Sequence, residues 1–423
     1  MLSKIYRIWS GAFVIRLVAL LLSFGSSWLL TQVMTDSEYG SYVYILSIVG
    51  LLAGMAAAAF DDLAVRLVSA YQTNSHFALL QGFWRVSGVV TFGLSVLLLF
   101  VWKIYLHYYP TADVLPILAM VLCNIPLLAM LSWLQGLLLG SRHTILSQLP
   151  ENIFKSLLLL LALLAFWLYR TNTFLSLSQL FLWQTWINIS VLVVTLGLCW
   201  RYFWRDLPRE KPAYAWSYWN KNAVIFLCIS SINLINIRAD ILALGTMVSP
   251  HELGYYNIAA KLSELLKLGF LVSNLVFAPI FASLFAEQKL PELEQLAKKS
   301  SRLMAALGLV VVVAFAVVGK YVLSWWGTNF VTAYPVLLVL LLGQWVNLAF
   351  GAAANVLQMT GKQSWIFNAI VITTLLNVAL NVLLIPHYGT MGAAIATSLS
   401  TIIKILIWNA VVYRYWRIRV GVW

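Results

Sequence analysis

Residues 34–42 read Met-Thr-Asp-Ser-Glu38-Tyr-Gly40-Ser-Tyr42, and residues 248–256 read Val-Ser-Pro-His-Glu252-Leu-Gly254-Tyr-Tyr256. Glu, Gly and Tyr recur in the same order, and Glu252 stands 214 positions after Glu38, about half of the 423-residue chain. Each copy is a short polar turn with an apolar run of about 20 residues on either side, the length that crosses a bilayer as a helix. The turn therefore reads as a tight loop between two transmembrane helices, once at the start of each half. A repeat at that period makes the chain a duplicated membrane bundle.

Composition agrees. With 62% hydrophobic residues, 10% charged residues and a mean hydropathy of +0.88, the helices must be apolar nearly all round, because their outer solvent is lipid. A transmembrane barrel needs short segments alternating at period two, and none is sustained here. The net charge of +13 reads as basic residues gathered in cytoplasmic loops rather than as a nucleic-acid surface. Cys123, Cys199 and Cys228 stand apart, with no CxxC pair and no Cys/His cluster, which argues against disulfide and structural-metal frameworks. The run from Gly11 to Met34 is longer than a signal-peptide core and reads as a retained first helix.

Apolar runs set against intervening charges give twelve spans, near 11–34, 41–60, 82–102, 114–139, 152–169, 177–200, 222–247, 254–285, 303–325, 331–359, 364–385 and 391–413. The eighth is interrupted by Lys261, Glu264, Lys267 and Pro279. With the amino terminus inside, 18 of the 27 Lys and Arg residues fall on cytoplasmic ends and loops. Three fall outside (Lys103, Arg170, Lys320), so both termini are expected to be cytoplasmic. The longest polar stretch, 201–221, holds two prolines and several aromatic residues, and reads as a segment lying along the headgroup boundary. It divides the chain into an amino-terminal lobe (1–200), a cytoplasmic linker (201–221) and a carboxy-terminal lobe (222–423). Six spans per half make the halves parallel repeats and place both Glu-x-Gly-x-Tyr turns outside. Gln135…Gly140-Ser141-Arg142 and Gln358…Gly361-Lys362 form a second, shorter correspondence at a cytoplasmic turn.

The pattern Arg16…Asp36-Ser37-Glu38-Tyr39-Gly40-Ser41-Tyr42 resembles the opening of the polysaccharide-transporter branch of the multidrug/oligosaccharidyl-lipid/polysaccharide (MOP) exporter superfamily. Asn236-Ile-Arg238-Ala-Asp240, followed by Glu252-Leu-Gly254-Tyr-Tyr256-Asn-Ile-Ala259-Ala-Lys261, is similar to helices seven and eight of Wzx-type O-antigen flippases. The resemblance implies an all-α fold of two six-helix lobes forming a V. It also implies ion-coupled transfer of undecaprenyl-pyrophosphate-linked oligosaccharide repeat units across the bacterial inner membrane, for O-antigen or capsular polysaccharide. Membrane lipids, a proton or sodium ion, and polysaccharide polymerase or assembly proteins are the partners it implies, with no cofactor. The rival readings are a cation-coupled multidrug exporter of the same superfamily and, less well supported, an O-antigen polymerase or ligase. An enzyme of that kind carries a long outer loop with catalytic residues, and no outer loop here is long. No GxxxxGK[ST] motif occurs, so the chain has no intrinsic P-loop ATPase.

Six basic residues fall inside spans, Arg16, Lys155, Arg238, Lys261, Lys267 and Lys404, against two acidic ones, Asp240 and Glu264. A charge at bilayer depth costs about 2.5–3.5 kcal/mol on insertion scales, so it is paired, faces water or snorkels. Either some of these snorkel or a hydrated cavity is positively charged and receives an anion. Arg16 divides evenly between the two, Lys155 favours snorkelling, and Lys404 is too deep for it. Arg238 and Asp240 lie two residues apart and do not share a helix face, so each needs a partner elsewhere. Arg16, Arg238, Lys261, Lys267 and Lys404 are thus candidates for the substrate's anionic head group. Asp240 is the candidate proton or sodium site. Lys261, Glu264 and Lys267 are spaced to form a ladder on one helix, with a gating role for Glu264. Asp61, Asp62 and Arg66 are expected to form a gate-side ion-pair cluster. Glu38 and Glu252 read as helix caps, and Gly40 and Gly254 as sites of close packing.

Overall fold

The computed structural model describes residues 2–108, 121–169, 173–205, 207–208 and 210–422. Among these the chain is almost wholly helical and contains no strand. In chain order the helices begin with α1 (Leu2–Val33), α2 (Asp36–Ala57), α3 (Asp61–Thr73), α4 (Phe77–Tyr108) and α5 (Asn124–Gly140). Next come α6 (Thr144–Leu149), a π-helical turn (Pro150–Lys155), α7 (Ser156–Tyr169) and α8 (Leu177–Cys199). The remainder is α9 (Trp216–Met247), α10 (Pro250–Ser263), α11 (Leu265–Ala286), α12 (Leu290–Ser324), α13 (Tyr334–Phe350), α14 (Ala352–Met359) and α15 (Gln363–Trp416). Among the described residues nine helical segments are long and apolar enough to cross a membrane. Pro116, Arg170, Arg209 and the start of the fourth expected span lie outside the described residues.

Expected spans and helices correspond closely, and the differences have local causes. The eleventh and twelfth spans form one segment, α15, broken at Gly389, where φ is 56° and ψ is −134°. That combination of φ and ψ is reached easily only by glycine. The eighth span is two helices rather than one, joined at Glu264, so its Lys–Glu–Lys spacing does not run along a single continuous helix. The second span, expected over 41–60, is α2, and a further helix that the span did not include, α3, follows from Asp61.

Packing divides the chain into two compact units. One comprises Met1–Glu38 and Ile45–Leu234, the other Tyr39–Tyr44 and Ile235–Trp423. The boundary falls inside α9 rather than in the 201–221 segment. That segment packs within the first unit: the Ala213 N–H donates to the Ala78 carbonyl at 2.9 Å, and the Gln81 amide donates to the Pro208 carbonyl. Trp219, at the start of α9, is fully buried, sets its ring edge-on to Phe83, and donates from Nε1 to the Tyr71 hydroxyl at 2.9 Å. A buried indole with its N–H satisfied holds the first half of α9 to this unit.

The first unit's core gathers Leu63, Phe83, Trp133, Leu137 and Trp219, and the second unit's gathers Phe281, Leu293, Leu357, Trp408 and Val412. Lipid is as apolar as leucine, so close packing and interhelical hydrogen bonds hold such bundles together. Trp133 Nε1 to Ser87 Oγ at 2.9 Å is one such bond in the first unit.

At the quoted turn, Thr35 caps α2: its hydroxyl accepts from the Glu38 N–H, and the Glu38 carboxylate accepts from the Thr35 N–H at 3.2 Å. This is a capping box. Replacing Thr35 by Ala is expected to lower stability by about 1 kcal/mol, read as a fall in the thermal midpoint of the detergent-purified protein. At the second copy Ser249 makes no side-chain cap hydrogen bond, and its hydroxyl lies 3.2 Å from His251 Nε2 instead. The capping role expected of Glu38 is therefore seen, whereas Glu252 only adds negative charge to the first turn of α10.

Candidate functional site

Asp240 lies in the second half of α9, and every side-chain donor to it comes from another helix. Its Oδ1 accepts from Asn381 Nδ2 at 2.9 Å. Its Oδ2 accepts from the Tyr256 hydroxyl at 3.0 Å and from Thr397 Oγ1. Asn381 Nδ2 also donates to Asn377 Oδ1 at 3.1 Å, and Asn377 Nδ2 donates to Thr397 Oγ1 at 3.4 Å. One turn back on α9, Asn236 donates to Thr374 at 2.7 Å.

The sequence builds this network simply. Asn377 and Asn381 are four residues apart and share a helix face. The break at Gly389 lets the chain double back, so Thr397 returns to that face. Tyr256 enters from α10. Asn377, Asn381 and Tyr256 are buried, with at most 4% of their surface exposed. Asn381 Oδ1 is one of the buried side-chain atoms with no hydrogen-bond partner among the described residues. Buried polar atoms are nearly always paired, and this unpaired carbonyl lies on the residue that donates to the Asp240 carboxylate.

A second constellation in the same unit is basic. Glu264, at the junction of α10 and α11, pairs with Lys267 at 2.7 Å, with both side chains about half exposed. Glu264 is also the acidic neighbour of Arg238 and Lys261. Lys404 sits half-buried near Lys267, its Nζ 5.4 Å from the centroid of the Trp408 ring. Neither Arg238 nor Lys404 belongs to any salt bridge among the described residues. Arg238, Lys261 and Lys267 thus lie about the Glu264 carboxylate, and Lys404 adds a further positive charge beside Lys267. A helix turns about 100° per residue, so Arg238 and Asp240 point away from each other, Arg238 toward Glu264 and Asp240 into the asparagine network.

The remaining candidates lie apart. Arg16 is exposed on α1. Lys155 ends the π-helical turn near Glu151, whose carboxylate accepts from Gln135 at 2.8 Å. The expected cluster of Asp61, Asp62 and Arg66 is not an ion-pair cluster. Arg66 is exposed and forms no salt bridge among the described residues, while Asp62 accepts from Ser230 at 2.9 Å. Thr397 carries no sequence signal of its own, and Tyr256 carries only its place in the repeated Glu-x-Gly-x-Tyr turn. Asn377 and Asn381 do carry one, two amides four residues apart within an apolar span.

The sequence matches no family model and no curated protein. Solved structures do match it. An inward-facing multidrug resistance MATE-family transporter of the MOP superfamily superposes with a TM-score of 0.73 at 11% identity, over 93% of this chain and 96% of that one. The lipid II flippase MurJ, in an inward closed conformation, gives 0.67 at 11% identity over 96% and 87%. A MOP superfamily transporter from Pyrococcus furiosus, whose reversed pocket polarity suggests a different function, gives 0.59 at 12% identity over 96% and 93%. At such identities the likeness is one of fold, and the chain has the MOP-type transporter fold.

Proposed function

We propose that the chain is a flippase for undecaprenyl-pyrophosphate-linked oligosaccharide, moving it from the cytoplasmic to the periplasmic leaflet of the bacterial inner membrane by ion-coupled alternating access. The observation that carries this reading is the basic cluster in the second unit: Arg238, Lys261 and Lys267 about the carboxylate of Glu264, with Lys404 beside Lys267. Such a surplus at bilayer depth is stable only against water or a bound anion. A pyrophosphate head suits it: the guanidinium of Arg238 can bond two of its oxygens at once, and the lysines act as point charges. The isoprenoid tail stays in lipid. A cationic drug would meet charges of its own sign here, which places drug export second.

Coupling falls to Asp240. The carboxylate, the orphan carbonyl of Asn381, and the oxygens of Asn377 and Thr397 suit a small hard cation, and they favour sodium over a proton alone. When bound, that ion neutralises Asp240. The chain's own part is to join the two constellations: α9 carries Arg238 and Asp240 two residues apart. A shift of α9 that follows a change at Asp240 therefore moves Arg238 against Glu264.

The test is deletion of the gene, leaflet-resolved detection of the lipid-linked repeat unit, and complementation. Arg238→Ala and Lys404→Ala are each expected to cut surface polymer about ten-fold at normal protein levels, equivalent to about 1.4 kcal/mol, with complete repeat units accumulating in the cytoplasmic leaflet. Normal polymer with altered sensitivity to cationic drugs would sink the flippase and promote the exporter. Single units building up in the periplasm would indicate a polymerase.

A further inference from the structure

The first unit contains a pocket of ≈ 230 Å³ where the start of α3, the second half of α5, and α6 with its π-helical turn come together. Its polar lining includes Asp61, Asp62, Gln135, Ser147, Gln148 and Asn152, and no Lys, Arg or His is among the described residues lining it. The groups are partly committed. Asp61 Oδ1 accepts from the Asp62 N–H at 2.7 Å, Asp62 Oδ2 accepts from Ser230, and Gln135 donates to Glu151. Gln148 Oε1 is buried and has no partner. Asn152 lies in the π-helical turn, a distortion that recurs at functional sites.

Size and chemistry narrow the occupant. The pocket is far larger than the ~30 Å³ of one water, so it exceeds what a bare ion fills. It is also smaller than the roughly 300–1,000 Å³ of sites for drug-sized ligands. Carboxylates accept from two hydroxyls at once, amides both give and accept, and hydroxyls do either. That lining matches a compact polyhydroxyl ring. With no cation among the described residues lining it, the pocket offers no partner for a phosphate or a uronate.

We propose that this pocket is a saccharide subsite, taking one neutral or amine-bearing pyranose, and not an acidic one, from the transported glycan. The assignment rests on the flippase reading above. The unpaired Gln148 carbonyl is the acceptor that a sugar hydroxyl completes.

The experiment is saturation-transfer difference NMR on the full-length protein in nanodiscs, with methyl glucoside, methyl 2-amino-2-deoxyglucoside and methyl glucuronide as probes. The first two are expected to give signal and the glucuronide none. Gln148→Leu is expected to weaken the signals about five-fold. So is Leu139→Trp, which fills the pocket from an apolar lining position without removing a polar group. No glycoside signal in the unaltered protein, an equal glucuronide signal, or full signal in Leu139→Trp each overturns the assignment. Geranyl pyrophosphate binding, measured on the same sample, reports separately on the basic cluster of the second unit. If it is retained while glycosides fail, the subsite falls alone; if it is lost too, the flippase reading falls with it.

Discussion

On the flippase function proposed above, Asp240→Asn is expected to reduce delivery of the lipid-linked glycan to the periplasmic leaflet by about thirty-fold, the equivalent of about 2 kcal/mol, with the amount of protein in the membrane unchanged. The reasoning starts from the three donors on Asp240, from Asn381, Tyr256 and Thr397. Alanine would leave all three unpaired at about 1–3 kcal/mol each, confounding stability with transport. Asparagine keeps the shape. Its own amide N–H needs an acceptor, and Asn381 has one to offer, because rotation of that side chain brings its unpaired Oδ1 forward. The network then survives as neutral hydrogen bonds, and what disappears is the charge. A sodium titration of purified protein provides the second reading. At a hundred-fold excess over Kd a bound ion stabilises the folded chain by about 2.7 kcal/mol. The unaltered protein is expected to show such a sodium-dependent rise in thermal midpoint, and Asp240→Asn to show none. A variant that keeps both the rise and the transport would remove Asp240 from coupling.

The helices were legible because lipid demands long apolar runs and charged residues interrupt them. Even the uncertain eighth span carried its reason in the sequence, since the interrupting Glu264 is where α10 stops and α11 starts. The separation of Arg238 from Asp240 was legible too, because two residues on a helix cannot share a face. What was not legible was everything that depends on which helices touch. Thr397 is one of many threonines, and only the reversal at Gly389 brings it against Asn377. Tyr256 belongs to the repeated Glu-x-Gly-x-Tyr motif, and nothing in that motif says its hydroxyl reaches an aspartate sixteen residues earlier. Arg66 shows the opposite failure. Sequence proximity to Asp61 and Asp62 suggested an ion pair, but one turn of helix points its side chain outward, and Ser230 on α9 supplies Asp62 instead. Polarity marks 201–221 as a linker, and only the fold shows that Trp219 and Ala213 pack it against the first unit.

Gly40→Ala is expected to destabilise the fold by more than 3 kcal/mol and to abolish accumulation of monodisperse protein. Gly40 belongs to the 39–44 stretch that packs with the second unit, and a Cβ there would lie 1.5 Å from the Pro250 carbonyl oxygen and 3.1 Å from its Cα. These are backbone atoms at the start of α10, so no side-chain rotation relieves the clash. Ordinary overpacking costs about 1–3 kcal/mol because neighbours yield, and this neighbour cannot yield without moving a helix. The surroundings hold it in place: the Tyr39 hydroxyl accepts from Asn257 at 3.0 Å, and the Tyr39 ring lies against Phe330, which also meets Tyr255 edge-on. The two copies of the repeated turn therefore pack on each other, and glycine at position 40 is what lets the backbones approach. Gly93→Ala is the control. Gly93 lies inside α4 with nothing within 4 Å of an added Cβ, so alanine there is expected to be neutral or to stabilise by about 0.5–1 kcal/mol. Size-exclusion profiles and thermal midpoints of the two variants, measured side by side, separate a general intolerance of helix-glycine replacement from this particular contact. If Gly40→Ala behaves like Gly93→Ala, the close approach at Pro250 is wrong, and the repeated Glu-x-Gly-x-Tyr turn needs an explanation other than packing of one copy on the other.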